Sequence, residues 1–402
     1  MELDRNKLME QGFLILREVV PPTLLEHLRE SYSVIVDRQK EIWVEQRGPN
    51  DPPCGYWELS SQPRVGEVEN LIDQSTANAV EIWFHENTMG VARELLLNPD
   101  PIVMGMHLMC NPVRNFGPAA WHRDIHPIDM APLANIQGDL LENGPRYLQW
   151  NIPLYDDDVL WVVPGSHLRL NTEAENQQLL LDKTKPLPGG IPVDLKAGDG
   201  VIYINLLFHQ GSNYSTKLRR TIHGAHGFAS HARDLGYTEF LSSSTRKRIE
   251  RGSRKITNLE NATETALRSV ISKEPVTYLN ALETLQPGIG NKGKTLFTIY
   301  LSKAALFIHH LKGLDSDNLP SPLQKRAVSP HPLSLHWGPE FSERFTDDEA
   351  AILKQRFATL DSQLQADVEH FVPGFQSQPM RYFFEAMTET FHVVDFMESW
   401  NG

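Results

Sequence analysis

The first hundred residues combine predicted helices with one short strand. Residues 4–12 have the spacing of a short helix, and the apolar run over residues 12–20 predicts a strand. Pro21 and Pro22 then begin a second helix, because proline is tolerated in the first helical turn. Helical spacing returns over residues 67–97.

The middle of the chain, from about residue 101, has the pattern of short strands. Apolar segments alternate with turn signals such as Asn143-Gly144-Pro145 and Pro164-Gly165. The predicted strands are 102–110, 121–125, 147–154, 159–163, 191–195, 201–208 and 218–228. Several short strands separated by turns are typical of a sandwich or barrel.

After this β-rich region the apolar spacing becomes helical again. We predict helices over about 260–313, an extended proline-rich linker over about 318–339 and a helical hairpin over about 346–399. Thr346 and Glu349 have the spacing of a capping box at the start of the hairpin. The chain is therefore predicted to divide into a core of residues 1–235 and a helical extension of residues 236–402.

Composition narrows the function classes. The chain has 402 residues, 40% of them hydrophobic and 22% charged, which is typical of a soluble globular protein. A net charge of −13 without a long basic run argues against nucleic acid or an anionic membrane as partner. The 2 cysteines form no CxxC pair, which argues against a disulfide framework or a cysteine zinc site. We find no signal-peptide pattern and expect a cytoplasmic protein.

His122 and Asp124 are the first candidate metal ligands. Because they stand two residues apart in a predicted strand, their side chains are expected to leave the same face. Two histidines and one carboxylate form the facial site of non-haem iron(II) oxygenases, so one more histidine is needed. A single His-x-Asp is weak evidence, and a surface strand pair is the alternative.

His209 and Arg219 supply what such a site still lacks. His209 ends an apolar run and precedes a turn, although a buried core histidine would fit the same pattern. A guanidinium can bind the far carboxylate of a dicarboxylate co-substrate in a bidentate manner. Arg220 is adjacent and would face the opposite way on a strand, so only one of the two arginines can serve.

Five motifs, in this order, resemble the phytanoyl-CoA dioxygenase (PhyH) family. They are His122-Arg-Asp124, Trp161-Val-Val-Pro-Gly-Ser-His167, Leu195-Lys-Ala-Gly-Asp199, His209-Gln-Gly-Ser-Asn213 and Arg219-Arg-Thr-Ile. The resemblance covers roughly residues 5–230 and leaves the extension without a counterpart. It implies an α+β fold, with a double-stranded β-helix (jelly-roll, cupin-like) core, flanking helices and the C-terminal helical extension.

The resemblance also implies the roles of individual residues. His122, Asp124 and His209 would be the Fe(II) ligands and catalytic residues, and Arg219 would bind 2-oxoglutarate. The presence of Asp124 argues against halogenase chemistry, in which this carboxylate is replaced.

Two further residues are cofactor-pocket candidates through the same resemblance. Trp150 matches a family tryptophan that can line the co-substrate pocket, although a buried strand aromatic is the commoner role at such a position. His107 lies on the strand before the first motif and is expected either to face the site or to be a core histidine.

The implied function is a dioxygenase that uses O₂ and 2-oxoglutarate to oxidise, most simply hydroxylate, a small organic molecule, with release of succinate and CO₂. One alternative is a non-catalytic iron- and 2-oxoglutarate-binding module. Another is nucleotide binding at residues 288–295, which match G-x-x-x-x-G-K-T but follow a segment with helical rather than strand spacing. The extension is expected to cover the barrel mouth, to mediate homodimer formation or to form its own domain.

Overall fold

The computed structural model describes residues 3–228, 236–314, 319–375 and 379–401. Its strands are β1 Phe13–Leu16, β2 Arg64–Val65, β3 Ile102–Cys110, β4 Tyr147–Pro153, β5 Leu160–Val162, β6 Ile191–Pro192, β7 Gly200–Ile204, β8 His209–Gly211, β9 Arg220–Gly227, β10 Gln365–His370 and β11 Met380–Tyr382. Its helices are α1 Arg5–Gln11, α2 Pro22–Glu45, α3 Tyr56–Leu59, α4 Asn78–Glu81, α5 Val91–Leu96, α6 Leu133–Asn143, α7 Glu173–Leu181, α8 Ser243–Ser272, α9 Pro275–Leu285, α10 Asn291–Leu311, α11 Ser321–Val328, α12 Pro339–Ser342, α13 Asp347–Leu364 and α14 Val393–Glu398. None of the helices in these ranges combines the length and the apolar character that a membrane span requires.

Two antiparallel sheets form the β-rich part of the chain. The larger has six strands in the order β1-β7-β4-β9-β3-β2, and the smaller has three in the order β6-β5-β8. Phe13 of β1 and Tyr203 of β7 share one apolar cluster with Leu160 and Val162 of β5. The two sheets therefore pack against each other at this edge.

Strand β4 shows how the larger sheet separates a core from a polar face. Leu148, Trp150 and Ile152 are buried in an apolar cluster with helix α2 and the segments that follow it. Gln149 and Asn151 point to the other face, because side chains alternate along a strand. That face looks into a cavity, and the candidate ligands are found there.

The extension packs on one end of this sheet around helix α10. Its side chains are buried on all sides, as expected for an all-round apolar helix in a core. The same apolar cluster includes Ile102 of β3 and Ala225 of β9, together with residues of α8 and α13. The extension is thus continuous in packing with the β-rich part, although the predicted boundary at residue 235 lies outside the described residues.

The predicted capping box at Thr346 is confirmed, but the helical hairpin behind it is wrong. Helix α13 ends at Leu364, and β10 and β11 form a β-hairpin instead, with Gln365 opposite Tyr382. Val368 and Phe371, which have the spacing of a helical seam, are 63% and 48% exposed. Their spacing continued the helical pattern of α13 by coincidence, whereas the backbone is already extended from Gln365.

Two other segments differ from the predicted elements. In the predicted linker over 318–339, the described residues 319–339 are not uniformly extended, because α11 forms with Pro322 in its first turn and Leu333 and Leu335 are buried. The predicted strand over 121–125 is reduced to one antiparallel bridge between His122 and His209.

Candidate metal centre

His122, Asp124 and His209 converge on one point. Nε2 of His122 lies 3.5 Å from one carboxylate oxygen of Asp124, and Nε2 of His209 lies 3.2 Å from the other. Among the described residues, these three form the group of His, Cys, Asp or Glu side chains that could hold a metal ion, with ligand atoms all within 4.8 Å. A His₂-carboxylate set of this kind is the donor set of non-haem iron(II) sites.

Backbone hydrogen bonds bring these distant residues together. The N–H group of His122 donates to the carbonyl of His209 and the reverse bond is also made, each at 3.0 Å. The N–H of Asp124 donates to the carbonyl of Asn205 at 2.9 Å, and Nδ2 of Asn205 donates back to the carbonyl of Asp124 at 3.1 Å. The segment after β7 therefore fixes both early ligands beside the late one.

The imidazoles of His122 and His209 use Nδ1 for hydrogen bonds and keep Nε2 for a metal ion. Nδ1 of His122 lies 2.9 Å from the carbonyl of Ala120, and Nδ1 of His209 lies 3.0 Å from the carbonyl of Leu207. Because a carbonyl only accepts, each Nδ1 carries the proton, and each Nε2 lone pair points to the centre. This arrangement is usual for metal-binding histidines.

The protonation states of Asp124 and His122 suit a metal ion, whereas, against the effect of burial, the charge of Asp124 raises the pKa of His209. Burial opposes the charge on Asp124, but His209, His122 and a 2.7 Å hydrogen bond from Nε2 of Gln149 together hold the pKa of this carboxyl well below its usual value. Burial and the neighbouring His209 lower the pKa of His122. An ionised carboxylate beside a neutral imidazole is ready to bind a cation.

A polar cavity of about 280 Å³ opens in front of the three residues. Its wall on the larger sheet includes Gln149 and Asn151 of β4, Tyr203 of β7, His223 of β9 and His107 of β3. Strand register explains this, since Gln149 lies opposite Tyr203, and His223 lies opposite both Asn151 and His107.

Arg219 points into this cavity and Arg220 does not. The side chain of Arg219 is nine-tenths buried, its Nε donates to Asp157 at 2.7 Å, and its Nη1 is buried without a hydrogen-bond partner in the described part of the chain. Arg220 instead donates to Asn111 at 2.9 Å and lies near the ring of Trp57. Of these two arginines, only Arg219 therefore presents an edge of its guanidinium to a ligand in the cavity.

Of the two remaining candidates for the co-substrate pocket, His107 lines the cavity and Trp150 does not. His107 lines the cavity, its Nδ1 is buried without a described partner, and burial lowers its pKa to about 4. Of the two roles considered for Trp150, the pocket role is wrong and the buried strand aromatic is correct. Its ring lies in the core on the opposite face of β4, where Nε1 donates to His226 at 3.1 Å. The odd-numbered positions of β4 face the cavity, and Trp150 is even-numbered.

Sequence reasoning missed several residues of the cavity. Gln149 and Asn151 could have been found, because period-two alternation places them on the face opposite the buried Leu148. His331 and Leu333 also line the cavity, from the extension. Nothing in their local pattern points to a site more than 120 residues after His209.

The glycine-rich segment 288–295 is not a phosphate loop. It follows helix α9 rather than a strand. The backbone N–H groups of Lys292 and Gly293 donate to Oε2 of Glu142, at 2.7 and 3.1 Å. A carboxylate of the protein thus takes the place that a phosphate would need at this helix start, which argues against nucleotide binding at this segment.

The phytanoyl-CoA dioxygenase (PhyH) family model matches residues 8–222. No curated protein sequence matches the chain.

Among solved structures, AviO1 from Streptomyces viridochromogenes Tue57 is 22% identical, with a TM-score of 0.38 over 56% of this chain and 96% of that one. EctD from S. alaskensis, solved with 2-oxoglutarate and 5-hydroxyectoine, is 15% identical, with a TM-score of 0.40 over 56% and 74%. SnoK, a carbocyclase from nogalamycin biosynthesis, is 18% identical, with a TM-score of 0.38 over 59% and 89%.

The family match stands on its own, because it spans just over half of the sequence and contains all three candidate ligands together with Arg219. The chain belongs to the phytanoyl-CoA dioxygenase (PhyH) family.

Proposed function

We propose that this protein is a non-haem Fe(II)- and 2-oxoglutarate-dependent dioxygenase that oxidises, most simply hydroxylates, a small organic molecule and releases succinate and CO₂. The observation that carries the proposal is one cavity that contains both the His122–Asp124–His209 group and the unpartnered guanidinium edge of Arg219. The two packed sheets would form the double-stranded β-helix of this enzyme class.

The residues of the cavity would have distinct tasks. His122, Asp124 and His209 would hold Fe(II), which when bound supplies the reactivity towards O₂ that protein side chains lack. Arg219 would bind the carboxylate of 2-oxoglutarate far from the metal, because a planar guanidinium matches a carboxylate in a bidentate manner. Gln149 orients Asp124 through its amide, and its Oε1 is buried without a described partner and so can accept a hydrogen bond from a ligand.

The direct test is the conversion of 2-oxoglutarate to succinate by the purified protein after anaerobic loading with Fe(II). We expect succinate formation that requires both Fe(II) and O₂, and its loss in Asp124→Ala. Asp37→Ala, which removes an exposed carboxylate on α2, is the matched control and should behave like the wild type. Equal succinate formation in Asp124→Ala would contradict the proposal. Binding of Fe(II) and 2-oxoglutarate without any succinate would instead favour the non-catalytic module.

A further inference from the structure

The extension reaches the catalytic cavity at one defined end. Along β4 the cavity-facing residues are Tyr147, Gln149 and Asn151, which span about 13 Å at the usual rise per residue. Gln149 in the middle contacts Asp124. Leu333 of the extension lies at the Tyr147 end, since both residues also line one smaller adjoining cavity.

The end of the cavity opposite Tyr147 carries the two arginine side chains, Arg64 and Arg219. Pro153 at the end of β4 pairs with Thr221, two residues after Arg219. Thr221 pairs with Met109, which in turn pairs with Arg64 of β2. Arg64 and Arg219 are the cationic Arg or Lys side chains among the described residues that line the cavity. A dianionic co-substrate therefore has its complement at this end.

The Tyr147 end has a different chemistry. In the main cavity this end is lined by Tyr147, His126, His331 and Leu333, without a carboxylate or an Arg or Lys among the described lining residues there. The charged side chains of the adjoining cavity, Asp139 and Arg146, form an ion pair with each other. The rings of His126 and His331 lie 4.8 Å apart. Nδ1 of His331 accepts the backbone N–H of Leu333 at 3.2 Å, so a neutral His331 carries its proton on Nε2. This surface suits hydroxyl or amide groups better than an ion or a long alkyl chain.

Several bonds hold the extension in register with the metal-binding segment. The N–H of Arg123, between the two early ligands, donates to the carbonyl of Gly374 at 3.0 Å. Gly374 has φ +88°, and a Cβ there would lie 2.6 Å from the ring of Phe208, so only glycine allows this approach. Nε of Arg326 lies 3.0 Å from Oδ2 of Asp129, a carboxylate that is only 1% exposed. The wall formed by the extension is thus fixed and not a loosely attached cover.

We propose that the extension forms the substrate-binding half of the cavity, where His331 and Leu333, together with His126 and Tyr147, receive an uncharged polar small molecule such as a polyol or a sugar amide. The inference rests on the proposed function, because it assumes that 2-oxoglutarate occupies the Arg219 end. The residues that select the substrate would then lie partly outside the segment that matches the family.

The first experiment locates the two ligands with cavity-filling variants. Leu333→Trp fills the Tyr147 end, and Val159→Trp fills the other, since Val159 lies beside Asp157 and lines the cavity with Arg219. The affinity for 2-oxoglutarate of the Fe(II)-loaded protein is measured anaerobically by calorimetry. We expect a loss of about tenfold or more in Val159→Trp and less than about twofold in Leu333→Trp. An equal loss in both would overturn the inference, whereas a wild type that binds no 2-oxoglutarate would overturn the proposed function itself. Leu333→Phe, a smaller change with the same expected result, is used if Leu333→Trp does not fold.

The second experiment tests the substrate class on the Fe(II)- and 2-oxoglutarate-loaded protein by ligand-detected NMR under anaerobic conditions. The probes are myo-inositol and N-acetylglucosamine as neutral polar compounds, citrate as an anion and octanol as an apolar chain. We expect binding of a neutral polar probe, weakened about tenfold or more in His331→Ala and in Leu333→Ala. Leu335→Ala is the matched control, because Leu335 is a buried leucine of the same segment that does not line the cavity. Preference for citrate or octanol, no binding of either neutral probe, or an equal effect of Leu335→Ala would overturn the inference.

Discussion

His122 and His209 exchange backbone hydrogen bonds of 3.0 Å in both directions, and their imidazole rings lie 4.3 Å apart. This single bridge replaces the strand that the sequence predicts for residues 121–125. One bridge is sufficient to place the two histidines side by side, because the carbonyls of Ala120 and Leu207 orient the two rings separately.

The first prediction concerns metal affinity. His122→Ala and His209→Ala should each weaken Fe(II) binding by about 100-fold or more, because even outer-sphere partners of a metal site are worth roughly 10–100-fold. The measurement is anaerobic titration with Fe(II). His126→Ala is the control, since this imidazole lines the same cavity but does not belong to the three-residue group. A comparable loss in the control would mean that the ligand set is wrong.

The two adjacent arginines should differ in their effect on 2-oxoglutarate. Arg219→Lys keeps the positive charge but removes the planar fork, so we expect about tenfold weaker 2-oxoglutarate binding at unchanged Fe(II) affinity. Arg220→Lys should have little effect, because Arg220 faces Asn111 and Trp57 outside the cavity. Calorimetry on the Fe(II)-loaded variants measures both. The reverse order would assign the co-substrate to Arg220.

Asp157 is expected to position Arg219. Its carboxylate is buried and accepts from Nε of Arg219, from the hydroxyl of Thr221 and from the N–H of Val159. Nη1 of Arg219 is left without a hydrogen-bond partner among the described residues. 2-Oxoglutarate affinity should therefore fall in the order wild type, Asp157→Asn, Asp157→Ala, while Fe(II) affinity stays constant. Asp158→Ala, which removes the exposed neighbour, should match the wild type. Identical affinities in all four proteins would rule out this positioning role.

Many strands, helices and candidate site residues could be predicted from the sequence. The predictions that fail do so for physical reasons. Strand β3 begins and ends where the alternating pattern predicts, and proline marks the start of α2. For Trp150 the family resemblance suggests a pocket residue, whereas strand alternation puts its side chain on the core face. Local pattern cannot reveal Leu333 in the cavity, because only the tertiary packing of the extension brings it there.

Helix α10 should depend on Glu142 for its start. This carboxylate accepts two of the N–H groups that no turn of the helix can satisfy, so Glu142→Ala should cost about 1 kcal/mol of unfolding free energy. Denaturant unfolding measures the change, with the exposed Glu30→Ala on α2 as control.

ATP should not bind the wild type, and ATP binding that is lost in Lys294→Ala would restore the nucleotide alternative.

Stability should fall as the solution becomes acidic. Burial lowers the pKa of His226 from 6.5 to about 4, and its Nδ1 already accepts the Trp150 N–H and cannot take a proton without losing that bond. Between these values the unfolded chain binds more protons than the folded one, so stability is complete above about pH 6.5 and is lost as pH falls towards 4. The contribution of this residue is roughly 3 kcal/mol by linkage. His226→Gln should flatten the pH dependence of denaturant unfolding, and an unchanged slope relative to wild type would contradict the assignment.

The most direct measurement is the location of bound iron. Crystals grown anaerobically with Fe(II) and 2-oxoglutarate would be measured at the iron absorption edge. The predicted result is one anomalous peak in contact with Nε2 of His122, Nε2 of His209 and the carboxylate of Asp124, with 2-oxoglutarate reaching from it to Arg219. A peak bound by other side chains, or density for 2-oxoglutarate away from Arg219, would contradict the account.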